Sequence, residues 1–140
     1  MALGGTLFRV AFLALVAAPV LTGCSAGPSD FCLDDSSACV QQRLARLDAM
    51  QEDPQRQWIA QTPSTEEYAS GVRQFAYRST RGQLTCSQLS AGIAETAQAR
   101  RVLAPSKVKD ISAERVGQII ALSDDINREL KVERKMRCSG

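Results

Sequence analysis

From Ser36 onward, apolar residues recur at every third or fourth position, punctuated by helix-capping signals. No stretch alternates with the period of two that a half-buried strand requires, and β-branched residues never cluster. That rhythm restricts the chain to helices. Ser36 or Ser37 caps a first helix whose apolar face is Val40, Leu44 and Leu47. Asp53-Pro54 reads as a cap followed by proline at the first helical position, restarting a short helix through Trp58 and Ile59. Thr62-Pro63 repeats this grammar, and Ser64 with Glu67 forms a capping box. The next helix carries Tyr68, Val72, Phe75 and Ala76 on one face, with Gly71 in its interior at a cost of about 1 kcal/mol. Arg81-Gly82 breaks that pattern.

A second capping box, Thr85 with Gln88, opens a helix running to about Leu103, with Leu89, Ile93 and Ala97 on one face. Its small residues, Ala91, Gly92, Ala94, Ala97 and Ala99, admit a closely packed neighbour. Pro105 ends it. Ser112 caps the last helix, Ile111 and Val116 form a hydrophobic staple, and Val116, Ile119, Ile126 and Leu130 make its seam, flanked by Ile120 and Leu122. The expected fold is all-α, a small helical bundle of about four helices.

The first 23 residues follow a different rule. Arg9 supplies one basic charge, Val10 to Leu21 is an uncharged run of twelve residues, and Pro19 precedes its end. A bilayer-spanning helix needs roughly 20 apolar residues, so the run fits a secretory leader instead. It closes on Leu21-Thr22-Gly23-Cys24. This box resembles the lipobox of bacterial lipoproteins, in which a small residue precedes an obligatory cysteine. The resemblance implies that Cys24 receives a diacylglycerol, that signal peptidase II cuts just before it, and that the new amine is acylated. Two or three acyl chains, at about 0.8 kcal/mol per buried methylene, make such an anchor effectively permanent. In lipoproteins of Gram-negative envelopes, aspartate after the lipid cysteine favours the inner membrane. Ser25 stands there, so the resemblance implies the outer membrane, periplasmic face.

The expected organisation is a signal peptide at 1–23, a lipidated N-terminus and tether at 24–36 around Gly27-Pro28-Ser29, and a helical domain at 37–140. In an exported chain the four further cysteines, Cys32, Cys39, Cys86 and Cys138, imply two disulfides, with three pairings possible. Spacing favours Cys32–Cys39, which closes a small loop, and Cys86–Cys138. The second would join the start of the third main helix to the end of the last and contribute about 4 kcal/mol by restricting the unfolded chain. Past Leu130 the inward positions of the last helix are Glu133 and Arg137, so a covalent link is expected to hold turns that the apolar seam does not.

Few residues offer chemistry. The chain has no histidine, which removes the commonest general base and the Ser-His and Cys-His pairs. No cysteines are spaced as zinc ligands, so neither metal nor cofactor is expected. Asp34-Asp35 and Glu66-Glu67 sit where helix starts favour negative charge, and Asp124-Asp125 belongs to a solvated face. Neighbouring helical residues point about 100° apart, so these pairs do not converge as a glycosidase pair must. Glu95 stands apart, within the small-residue helix rather than at a cap; it is expected to be exposed or ion-paired with a nearby arginine such as Arg100 or Arg101.

Charge is divided along the chain. Residues 24–67 hold three basic and eight acidic residues, net −5, and residues 68–140 hold thirteen and seven, net +6. The basic stretch Arg128 to Arg137 offers Arg128, Lys131, Arg134 and Lys135 to lipid phosphates or an acidic partner. Trp58 and Ile59, between two prolines, are candidate partner contacts or core. An exported chain gives no role to nucleic acid. The expected function is non-enzymatic: a lipoprotein held to the membrane by its anchor that binds another envelope protein or serves a structural role. The layout of lipobox, helices and long-range disulfide is also similar to helical pilotins, which grip a partner helix of a secretion-system subunit in a groove. A cell-wall hydrolase working through Glu95 is the enzymatic alternative.

Overall fold

The computed structural model describes residues 31–104 and 111–138. The leader, Cys24, Ser25 and Pro105, on which several of the readings above fall, lie outside them. Helices α1 (Ser37–Glu52), α2 (Thr65–Ser70), α3 (Val72–Thr80), α4 (Cys86–Thr96), α5 (Ala99–Val102) and α6 (Ala113–Cys138) make up the body, with 3-10 turns at Gln57–Ala60 and Arg81–Gln83. There is no strand among the described residues. The all-α expectation holds.

Local chemistry explains most helix starts. The Ser36 hydroxyl accepts the Cys39 amide at the head of α1. Both capping boxes are formed, Ser64 with Glu67 on α2 and Thr85 with Gln88 on α4. Ser112 accepts the Arg115 amide at the head of α6, with Ile111 and Val116 packed against the same apolar cluster. Asp53 behaves differently from expectation. Its carboxylate accepts the amides of Gln55 and Gln57, and Arg56 adopts a left-handed φ of 50°, so Pro54 lies in a turn and the helical segment that holds Trp58 starts only at Gln57.

Gly71 corrects a second expectation. It does not sit inside a helix but separates α2 from α3 at φ 75°, donating its amide to the Tyr68 carbonyl. A left-handed residue at a helix end is favoured as glycine because a Cβ there is strained. Space enforces the same choice, since a Cβ at Gly71 would stand 2.8 Å from Ile119 Cδ1.

Two apolar clusters form the core. Met50, Trp58, Tyr77, Leu84, Leu89, Ile126 and Leu130 are among the members of the first; Tyr68, Ala69, Ala99, Leu103 and Ile119 make the second. α6 crosses both, about 39 Å long at 1.5 Å per residue for its 26 residues. It runs antiparallel to α4: Asn127 donates to the Ile93 carbonyl and the Thr96 hydroxyl, and Cys86–Cys138 joins the far ends with a Cα separation of 5.9 Å. At Gly92 α4 packs closely, since a Cβ there would meet the Tyr77 ring at 2.7 Å and Leu130 at 2.9 Å. Beyond Leu130, Glu133 pairs with Arg137, which also donates to the Arg81 carbonyl.

The N-terminal segment is bound into this body. Cys32 is bridged to Cys39, the Phe31 ring lies under the Arg46 guanidinium at 4.2 Å, and Leu33 packs on the second cluster. Residues 31–33, within the segment assigned to the tether on sequence, thus make contacts with the helices. No helix of the described residues is long and apolar enough to cross a membrane.

Candidate functional site

The expected apolar faces of α1 and α3 are only partly covered. Leu44 and Phe75, placed on buried stripes by their spacing, are each 46% exposed. They line a groove of about 390 Å³ whose walls are Val40, Arg43, Leu44 and Leu47 from α1, Val72 and Phe75 from α3, and Arg115, Ile119 and Leu122 from α6. The break at Gly71 sets the position of the α3 wall, and Ile119 supplies both the floor of the groove and the contact that requires glycine there. At one end Arg43 donates to the carbonyls of Cys32 and Asp34, while Arg43 and Arg115 both pair with Asp35 at 3.3 and 2.6 Å. The groove's rim is thus fixed by the same segment that carries the Cys32–Cys39 bridge.

Glu95 lies elsewhere, in a closed network. Its carboxylate takes two hydrogen bonds from Arg73, from Nε at 2.7 Å and Nη2 at 2.6 Å, and a third from the Tyr77 hydroxyl at 2.9 Å. Arg73 also donates to the carbonyls of Trp58 and Gln61 and stands 5.2 Å from the centre of the Trp58 ring. The Tyr68 hydroxyl donates to the Glu95 carbonyl. The partner is Arg73, not Arg100 or Arg101: Arg100 pairs with Asp124, and Arg101 donates to Gln98. Burial would lower the Arg73 pKa, but the hydrogen bonds and charge of Glu95 outweigh it and the net direction is upward. Burial raises Tyr77 and Tyr68, with the Glu95 charge adding to both. Glu95 lines none of the cavities described here. The arrangement is suited to holding α3, α4 and the Trp58 turn together rather than to donating a proton.

The remaining carboxylates take positions close to expectation. Asp34 accepts the Ser36 amide, and hydrogen bonds from Ser36 hold its pKa below the ordinary carboxylate value, aided by the Arg43 charge. Glu67 closes its capping box and reaches Arg46; Asp124 and Asp125 pair with Arg100 and Arg128. Cys32, Asp34 and Cys39 bring three possible metal-ligating atoms together, but both sulfurs are joined in a disulfide.

Of the candidate contacts, Trp58 is core. It is 5% exposed, donates its indole N–H to the Met50 carbonyl and meets Tyr77 edge-on at 4.8 Å. Ile59 is half-buried against the first cluster. Arg128, Lys131, Arg134 and Lys135 are exposed. Lys131, Arg134 and Lys135 line a shallow cleft with Cys86, Ser90 and Cys138. The sequence reading did not identify the groove, because its signal is tertiary: two apolar stripes that no third helix fully covers.

No protein-family model matches the chain, and no solved structure matches it. It is similar to a Streptomyces coelicolor protein named "Putative glutamate--cysteine ligase 2", with 35% identity over 100 residues. The aligned segment covers 71% of this chain and 25% of that protein, so the chain spans about a quarter of its curated relative.

Proposed function

We propose that this chain is an outer-membrane-anchored periplasmic lipoprotein, held by acyl chains on Cys24, that binds another envelope protein through the groove between α1, α3 and α6. The observation that carries the binding role is the half-exposed pair Leu44 and Phe75 over a mainly apolar floor. An amphipathic helix seats its apolar side chains in such grooves at one-turn spacing, and Val40 to Leu47 offers two turns of wall. Two disulfides support an oxidising compartment, in keeping with an exported chain. A pilotin-like carrier, gripping one helix of a secretion-system subunit, is the narrower form of this proposal and is favoured by the same groove.

A wall hydrolase is less well supported. Its candidate acid, Glu95, is held by Arg73 and Tyr77 outside every cavity described. Ligation of glutamate to cysteine, the activity in the relative's name, is not adopted for a chain that aligns with a quarter of that protein.

Two measurements test the proposal. Cys24→Ala should abolish acyl labelling and leave uncleaved precursor; maturation and membrane fractionation unchanged from wild type would refute the anchor. Pulldown from crosslinked envelopes should capture a protein that is lost with Leu44→Glu plus Phe75→Glu while helical content persists. Equal capture by that variant would remove the groove from the binding role.

A further inference from the structure

The outward face of the last three turns of α6 combines exposed cations with exposed apolar side chains. Val132 and Met136, one turn apart, are 57% and 69% exposed. Lys131 and Lys135 occupy the adjacent strip at the same spacing, and Arg128 lies one turn before them. The acidic residues of this end are engaged: Asp125 with Arg128, Glu129 with Arg78 and Arg81, and Glu133 with Arg137. The cleft beside the strip, lined by Lys131, Arg134, Lys135 and Ser90 over the Cys86–Cys138 bridge, contains no carboxylate among the described residues, and Arg134 is set by a hydrogen bond to the Ser90 hydroxyl.

We propose that this face is a second membrane contact that lays the domain against an anionic bilayer surface. Its cations meet lipid phosphates in the cleft while Val132 and Met136 enter the acyl boundary, as on interfacial helices. The choice of a bilayer as occupant rests on the anchor proposed at Cys24. Phe31 lies seven positions after Cys24, a reach of at most about 25 Å. Phe31 lies on Arg46, one turn from Met50, and Met50 shares the first apolar cluster with Leu130. The cations of the strip complement the anionic surface that such an anchor would hold beside the domain. An anchor alone leaves the domain free to tumble, and a second contact would fix which face the groove presents to a partner.

The test uses full-length protein reconstituted into phosphatidylcholine vesicles with and without phosphatidylglycerol. Intact mass reports acylation of Cys24, and hydrogen exchange of the 128–138 segment reports the face. Exchange should slow several-fold only in the anionic vesicles and recover at molar salt, where the Debye length is about 3 Å. Lys131→Glu with Lys135→Glu should abolish the slowing, and Val132→Ser with Met136→Ser should reduce it. Equal exchange in neutral and anionic vesicles would overturn the proposal, as would protection that needs an envelope protein and ignores lipid charge. Missing acylation with intact anionic protection would sink the anchor and spare the face; acylated protein without protection would do the reverse.

Discussion

Arg73 and Glu95, 22 positions apart, illustrate how a charge is made tolerable in a small core. The Arg73 side chain is 2% exposed and that of Glu95 10%, and each is surrounded by hydrogen-bond partners. Removing one member of such a pair leaves the other charge buried and uncompensated, so Glu95→Gln should cost about 3 kcal/mol, read as a lower urea midpoint at unchanged slope. A loss near zero would show that water reaches Arg73. Gln74, the next residue, presents the opposite case. It is 1% exposed, and neither its amide nitrogen nor its oxygen has a partner among the described residues. Gln74→Met keeps the shape and removes the orphaned polar atoms, and should raise stability by about 1 kcal/mol; a lower melting temperature would contradict it. Only part of this was legible. Arg73 lies between Val72 and Ala76 on an apolar stripe, a signal that a buried charge needs a partner, but the sequence offers partners only a turn or two along the same helix and so pointed Glu95 toward Arg100 and Arg101.

Helices were read correctly where their cause is local. Ser36, Ser64 with Glu67, Thr85 with Gln88, and Ser112 each cap a helix through bonds spanning three residues, which sequence spacing encodes directly. Gly71 was misread because the lack of space for a Cβ there comes from Ile119, far along the chain, and a lone glycine amid helical spacing does not say that one helix ends at it. The groove escaped detection for a similar reason: Leu44 and Phe75 have core-like spacing, and only the packing of α1, α3 and α6 shows that the described residues leave them half exposed. Glycines within the helices provide a direct test of close approach. A Cβ at Gly117 meets nothing within 4 Å, so Gly117→Ala should stabilise α6 by about 1 kcal/mol through helix propensity alone. At Gly92 the same change drives a methyl into the Tyr77 ring and Leu130, where overpacking of about 1–3 kcal/mol outweighs the propensity gain. Thermal melts should therefore move in opposite directions for the two variants. A shift of the same sign would mean that α4 does not approach α3 and α6 as closely as 2.7 Å implies.

At the scale of the whole molecule, the two apolar clusters meet at the chain's two tyrosines. Tyr77 belongs to the first cluster and Tyr68 to the second, and both hydroxyls end on Glu95, one on its carboxylate and one on its carbonyl. Burial disfavours either tyrosinate and the Glu95 charge disfavours it further, while Arg73 opposes both too weakly to restore the ordinary value of 10.0. Above that value the unfolded chain releases both phenolic protons and the folded chain keeps them. The folded state then binds more protons, so stability that is complete below the ordinary tyrosine value falls steadily as pH rises beyond it. Disulfides cannot prevent this loss, because Cys86–Cys138 restrains only the far ends of α4 and α6. An alkaline titration of oxidised protein should show tyrosinate absorbance flat through pH 10, then rising in one cooperative step with the loss of helical circular dichroism. Tyr68→Phe should halve the amplitude of that step without separating it from unfolding, because the remaining Tyr77 is released by the same event. A tyrosine that titrates near its ordinary value while the helices remain intact would show that one hydroxyl is open to water, and the joint between the two clusters would have to be placed elsewhere.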